Sequence, residues 1–187
     1  PKSFRSLTQA VEELPFPIAT SVANYLAADS EWDRLIATVD TLEAILAFVA
    51  YTTCVEALSL ERSVAVVRSA PRRSMGPLRN LLEASTTALG SDAKVSRGFS
   101  IFITEHNGLL SQWISDLNDA RHLKRELTTP YLNEIVNSAT RIYAEGAQGL
   151  EFLMSVRSEA SGFLKPIYGG AVKRAIVVCP TSVLNQW

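Results

Sequence analysis

The sequence predicts a mainly α-helical protein, a bundle of about six helices followed by a short C-terminal β-hairpin or three-strand unit. Apolar residues recur at helical spacing through residues 1–146, between Ser, Thr and Pro start signals and Gly stop signals. Beyond them, short β-branched runs are separated by Gly, Ser and Pro. We therefore divide the chain into a helical bundle, 1–146, and a small β-containing tail, 147–187.

Composition limits the classes of protein that this chain can represent. Hydrophobic residues make up 47% of its 187 residues and the net charge is −1, which excludes a disordered chain and a generally basic nucleic-acid binder. The two cysteines, Cys54 and Cys179, sit in apolar runs, so we expect buried thiols in a cytoplasmic protein. The N-terminus lacks the apolar stretch of a signal peptide, and the longest apolar run, Ala44–Tyr51, is too short to span a membrane.

The strongest predicted element is a helix over Glu31–Leu58, with Asp29 or Ser30 as its N-cap. Its apolar residues form two stripes. The first is Leu35, Val39, Leu42, Leu46 and Val49, and the second is Trp32, Ile36, Ile45, Phe48, Val55 and Leu58. A helix that is apolar on two faces is typical of the centre of a bundle. The second face would also allow two copies to form a homodimer.

Other helices are predicted from their caps and periodicity. They cover Ser6–Leu14, Pro17–Ala28, a short Leu60–Val67, a helix from Ser74 to Gly90, Phe99–Lys124 with a break near Gly108, and a helix from Thr129, its N-cap, to Gly146. The strands of the tail are predicted at Leu150–Val156, Gly162–Tyr168 and Lys173–Cys179, with a turn at Gly169-Gly170. Such a unit must pack on the bundle or pair with further chain, and we interpret the sequence as a piece of a longer protein.

The sequence carries few groups suited to catalysis or metal binding. Its two histidines, His106 and His122, come without a Cys-x-x-Cys or His-Glu-x-x-His pattern, so we predict no metal site. No Gly-rich phosphate loop or dinucleotide fingerprint occurs, so we predict no cofactor. Arg72 and Arg73, near Arg68 and Arg79, would contact a phosphate or an acidic partner, or would be solvated.

One cluster offers chemistry, at Asn118-Asp119-Ala120-Arg121-His122. It resembles the end of the motif of HEPN domains, helical bundles in which an Arg, a polar residue and a His cleave RNA without metal. The resemblance implies that His122 is the catalytic histidine and Asn118 the polar residue. Leu117 stands where the family has Arg, so Arg121 or Arg125 would bind the phosphate. The alternative interpretation is a solvated helix C-terminus, where the dipole favours cations.

Two further resemblances are carried by other parts of the sequence. Residues 14–19, the Leu35–Tyr51 helix and Ser74–Leu78 resemble helical regions fused to NTPase or effector domains in bacterial conflict systems. Residues 175–187, which end in Pro-Thr-x-x-x-x-Gln-Trp, are similar to the strand and turn that follow the ATP-binding loop of superfamily-two helicases. A buried strand that ends in a proline turn is the alternative for this last segment.

Three functions follow as hypotheses. The first is a non-catalytic interaction or regulatory module, part of a larger bacterial defence or signalling protein. Its partner would be another protein, its own further domains or a second copy, and no membrane would be involved. The alternative is a HEPN-like, metal-independent ribonuclease acting on RNA. The third is a fragment of a helicase or translocase.

Overall fold

A computed structural model describes residues 6–64 and 74–148, and these fold into a helical bundle. Seven α-helices occur in the described residues: α1 Leu7–Glu13, α2 Phe16–Leu26, α3 Glu31–Ser59, α4 Met75–Leu89, α5 Ile101–Thr104, α6 Asn107–Arg121 and α7 Thr129–Gly146. Two 3₁₀ turns, at Gly90–Asp92 and Arg97–Ser100, connect α4 to α5. The prediction of a mainly helical bundle is confirmed for these residues. The predicted β-unit lies outside them.

Local capping explains why most helix boundaries match the prediction. The hydroxyl of Ser6 accepts a hydrogen bond from the Gln9 N–H at 3.2 Å, and that of Ser30 accepts one from the Asp33 N–H at 3.0 Å. Each interaction satisfies a donor that the first helical turn leaves free. Gly90 ends α4 with a positive φ of 51°, which glycine adopts without a steric penalty.

Several boundaries differ from the prediction, and three of these differences have a clear local cause or position. The helix expected over Leu60–Val67 is wrong for its first residues, because α3 ends at Ser59 and the Arg62 N–H returns to the Ala57 carbonyl at 2.9 Å. The helix expected over Phe99–Lys124 is divided into a 3₁₀ turn, α5 and α6, and its main break falls at Glu105 and His106, just before Gly108. The N-cap of α7 is Thr128, one residue before the predicted Thr129.

Helix α3 is the central helix of the described bundle, as predicted. It contacts α2, α4, α6 and α7. Its first stripe is buried, with Leu42, Leu46 and Val49 fully inaccessible to solvent. Full burial of each such side chain stabilises the fold by about 1.5–3 kcal/mol, so α3 organises the core.

The length and composition of α3 would also allow it to cross a membrane. An 18-residue window within Glu31–Ser59 has a mean hydropathy of 1.6, although 61% of that window is buried inside the fold. The central helix of a soluble bundle meets the same criterion. In this chain the apolar side chains of α3 are used mainly in contacts with the other helices.

Two glycines allow α7 to end in backbone contact with the second 3₁₀ turn. A Cβ atom on Gly98 would overlap the Gly146 carbonyl, and one on Gly146 would lie 2.9 Å from the Gly98 oxygen. The ring of Phe99 stacks on Tyr143, with centroids 5.6 Å apart, and Phe48 meets Tyr143 edge-on at 5.7 Å. The close approach therefore lets three aromatic rings from separate elements form one cluster.

A carboxylate on α3 fastens the connection between α4 and α5. Glu56 accepts hydrogen bonds from the backbone N–H groups of Lys94, Val95 and Ser96 at 2.7–2.8 Å, and from the Ser96 hydroxyl at 2.6 Å. Burial opposes ionisation of Glu56, but these hydrogen bonds outweigh it and hold the pKa of the carboxyl below its usual value. The loop is thus held against the last turns of α3.

Candidate site at the C-terminal end of helix α6

Helix α6 is amphipathic, and this arrangement fixes the direction of its polar residues. Leu110, Trp113 and Leu117 are buried, each with at most 1% of its surface exposed. Asn118 and Arg121 lie on the exposed side. Because Leu117 belongs to the core, the position that is Arg in the HEPN motif points into the bundle and offers no surface charge.

The end of α6 places His122 at the C-cap. The backbone N–H of His122 donates to the Asn118 carbonyl at 3.2 Å, which confirms that the two residues lie one turn apart. The chain then reverses through Leu123, whose φ is +58°, and the Lys124 N–H donates to the Asp119 carbonyl at 2.9 Å. This is a Schellman ending with leucine where glycine is usual.

A buried acid behind this corner was missed from the sequence. The Asp116 side chain is only 10% exposed, forms an ion pair with Arg125 and accepts a hydrogen bond from the Tyr131 hydroxyl at 2.7 Å. Burial, followed by the hydrogen bond and charge of Asp116, raises the pKa of Tyr131 to about 12. The sequence does contain a signal for this residue. Asp116 follows Trp113 by three residues and therefore lies on the apolar face of α6, where a buried carboxylate requires a polar or charged partner.

The predicted catalytic residues are therefore brought to one corner but not into one enclosed site. Asn118, Arg121 and His122 are all exposed, and Arg125 is held by Asp116. The neighbouring Lys124 lies 3.5 Å from the Asp119 carboxylate. A cavity of about 200 Å³ lies elsewhere, between α1 and α7, where Ser6 and Arg141 are among its lining residues. The corner can bind an anion through Arg121, but its groups remain in contact with solvent.

Other sequence-predicted sites have mixed outcomes. Within residues 6–64 and 74–148, no group of three or more His, Cys, Asp or Glu residues could hold a metal ion. Arg72 and Arg73 lie outside the described residues, so their predicted role in binding stays a prediction. Cys54 is buried as expected, and burial raises the pKa of its thiol.

The second apolar stripe of α3 is more exposed to solvent than the first stripe of the same helix. Of the predicted stripe, Ile45 is fully buried, whereas Trp32 and Leu58 are each 48% exposed. Partly exposed residues lie between them: Ile36, Ala47, Tyr51 and Val55. We call Trp32, Ile36, Asp40, Ala47, Tyr51, Val55 and Leu58 the α3 stripe. Asp40 is its exposed charged residue, and the partly exposed Glu43 lies on the same face of the helix.

Comparison with known proteins adds no assignment. The chain matches no protein-family model, no curated protein and no solved structure. The resemblances to HEPN domains, to helical regions of conflict systems and to helicases thus remain predictions from short motifs.

Proposed function

We propose that this chain is a non-catalytic helical interaction module that regulates a larger bacterial defence or signalling protein in the cytoplasm. The observation that carries the proposal is the α3 stripe, which runs along the central helix and ends in two half-exposed large side chains, Trp32 and Leu58. Apolar surface of this kind gains free energy when a partner removes it from water.

The turn between α6 and α7 supports the same proposal, because its buried acid and the cation paired with it stabilise the fold. Asp116 orders the turn between α6 and α7 through Arg125 and Tyr131. A reaction centre for phosphate chemistry would instead need a cation aimed at the reacting group in a site that excludes water. Leu117 and Arg125 are both committed to the fold, the first to the core and the second to Asp116.

The experiment compares the native size of the tagged protein in extracts of its own cells for wild type and Trp32→Asp/Leu58→Asp. Both side chains are half exposed, so the double variant should melt within a few degrees of wild type. We expect wild type to elute as a complex and the double variant at the size of the free chain. Thr20→Asp, on the exposed side of α2, is the matched control and should elute like wild type.

An unchanged elution of the double variant would contradict the proposal, because the complex would then not use the α3 stripe. Elution of wild type as a free chain at every concentration would contradict it as well. Melting curves by circular dichroism separate a lost contact from a lost fold.

A metal-independent ribonuclease is the second candidate, favoured by the shared exposure of Asn118, Arg121 and His122 at the end of α6. It predicts that wild type cleaves RNA in the presence of chelator and that His122→Ala does not. His106→Ala is the matched control, since His106 caps the opposite end of the same helix. Cleavage by wild type with loss only in His122→Ala would replace our first proposal.

A further inference from the structure

A small exposed apolar patch lies where the end of α3 meets the loop between α4 and α5. Leu60 is 42% exposed and Val95 is 37% exposed. Two contacts fix the loop beside the end of α3. The Glu56 carboxylate accepts a hydrogen bond from the Val95 N–H at 2.8 Å. Arg62 forms an ion pair with Asp92. Leu60 and Val95 therefore belong to one corner of the fold, which we call the α3–loop corner.

The chain leaves the described fold close to this corner. Gly146, at the end of α7, is in backbone contact with Gly98, and Ala147 is only 3% exposed. Gly98 follows Val95 by three residues, a length of chain that spans at most about 11 Å. The residues that follow Gln148 therefore begin within reach of Val95, and a few of them are enough to cover it.

The sequence that follows is apolar and has the charge that the corner lacks. Residues 150–156 read Leu-Glu-Phe-Leu-Met-Ser-Val, so their one charged residue is the acid Glu151. Lys94 and Arg97, on either side of Val95, are exposed, and within residues 6–64 and 74–148 neither forms an ion pair. The corner thus offers apolar surface and positive charge to a segment that is apolar and carries a negative charge.

The size of the corner favours an occupant from the same chain. A standard interface between separate proteins buries roughly 800 Å² on each partner, far more than two partly exposed side chains provide. A segment tethered a few residues away has an effective concentration in the millimolar range, so a small apolar contact is enough to hold it. The corner therefore suits a short segment in cis.

We infer that residues 150–156 pack on the α3–loop corner, so that the chain after α7 belongs to the same folding unit as the bundle. This contact lies at the C-terminal end of α3, whereas Trp32 lies at the N-terminal end and stays exposed. The inference goes beyond the proposed function, because it holds whatever binds the α3 stripe.

The first test is limited proteolysis of the purified full chain with chymotrypsin, which cleaves after large apolar residues and so probes Phe152. Leu60→Asp/Val95→Asp should be cleaved at residues 152–154 at least about tenfold faster than wild type, because a released segment enters the protease more readily. Thr20→Asp/Gln112→Asp adds the same charge at exposed positions on α2 and α6 and should be cleaved like wild type. Equal cleavage rates for wild type and Leu60→Asp/Val95→Asp would overturn the inference.

The second test keeps the corner apolar surface largely intact and measures proximity. In a Cys54→Ala/Cys179→Ser background, a short bis-maleimide at low micromolar protein should link Val95→Cys to Phe152→Cys within one chain. The matched pair Thr104→Cys/Phe152→Cys uses an exposed residue on the other side of Gly98 and should link at least about tenfold more slowly. Mass spectrometry of the monomer band measures both rates. Faster or equal linking of the Thr104→Cys pair would show that the segment lies elsewhere.

Discussion

Helices α3 and α6 end in the same type of turn, but the acidic side chains near the two ends have different binding partners. Each ends in a Schellman turn with a non-glycine residue at positive φ, Glu61 at +58° after α3 and Leu123 at +58° after α6. Each also has a partly or fully buried acid one or two turns earlier. Glu56 binds backbone N–H groups of a distant loop, whereas Asp116 binds the side chains of Arg125 and Tyr131.

The two helix ends therefore have different roles: one stabilises a loop of the fold, and the other leaves polar side chains exposed to solvent. At the end of α3 the acid fixes a loop of the chain itself, and Arg62 adds an ion pair with Asp92 in that loop. At the end of α6 the acid orders only the turn and leaves Arg121 and His122 in solvent. The second arrangement looks more like a functional site in sequence, but in both cases the buried acid serves the fold.

The largest expected effect is that of Gly98→Ala, next to the loop held by Glu56. The added methyl group would overlap the Gly146 carbonyl, which is backbone and cannot turn away. We expect a loss of about 3 kcal/mol or more in the free energy of unfolding, measured by urea titration. Gly76→Ala is the control, since a Cβ there meets no atom within 4 Å. Equal stability of the two variants would contradict the close packing of α7 on the 3₁₀ turn.

The next effect compares the two acids directly, through Glu56→Ala and Asp116→Ala. Glu56→Ala frees three backbone donors and a hydroxyl, and we expect a loss of about 2–3 kcal/mol. Asp116→Ala frees the Tyr131 hydroxyl, while the half-exposed Arg125 can be hydrated, so we expect about 1–2 kcal/mol. Chemical denaturation of the two variants measures both values. A larger loss for Asp116→Ala would reverse our ranking of the two ends.

The pH dependence of stability should distinguish the two ends as well. The folded pKa of Glu56 is lowered, so its contribution is present above its usual value near 4.5 and is lost as the pH falls further. The folded pKa of Tyr131 is raised from 10 to about 12, so its contribution is complete below pH 10 and is lost as the pH rises toward 12. We therefore expect thermal melts between pH 3 and pH 12 to show that Glu56→Gln loses less stability than wild type as the pH falls below about 4.5, with no change on the alkaline side. Tyr131→Phe should lose less stability than wild type as the pH rises above 10, with no change on the acid side. A change in the opposite limb would contradict these assignments.

The smallest effect concerns the two strained turns. Glycine adopts positive φ without the penalty that a side chain brings, so Glu61→Gly and Leu123→Gly should each raise stability by up to about 1 kcal/mol. Leu123 is 82% exposed, so its removal costs little burial. Glu61→Ala and Leu123→Ala are the controls, because alanine keeps the penalty. Destabilisation by either glycine in a thermal melt would show that the native side chain makes a contact we have not identified.

The sequence predicted the helices well where their signals are local. The start of α3 at Glu31 was predicted correctly, because Ser30 is a strong cap. Its end at Ser59 was predicted to within one residue, because the apolar stripes continue to the last turn. The N-cap of α7 was placed at the wrong one of two adjacent threonines. The sequence does not distinguish Thr128 from Thr129 as the N-cap, and in the structure the side chain of Thr128 makes no capping hydrogen bond.

The sequence could not predict features that depend on distant residues. The contact of Gly98 with Gly146 leaves no pattern, because glycine offers no side chain to mark it. The helix predicted over Leu60–Val67 was wrong for its first residues, since Leu60 and Val64 have helical spacing, whereas the chain reverses at Glu61 and buries Val64. In the candidate site, the spacing of Asn118 and His122 was predicted, but the capture of Arg125 by Asp116 needs the turn that joins α6 to α7.

The most direct test of the account is hydroxyl-radical footprinting of Trp32, with Trp113 as the internal reference because it is 1% exposed and belongs to the core. We predict that Trp32 is oxidised readily in purified protein at nanomolar concentration and is protected at least several-fold inside cells, while Trp113 stays protected in both. Equal oxidation of Trp32 in both settings would contradict the claim that the exposed face of α3 is a binding surface.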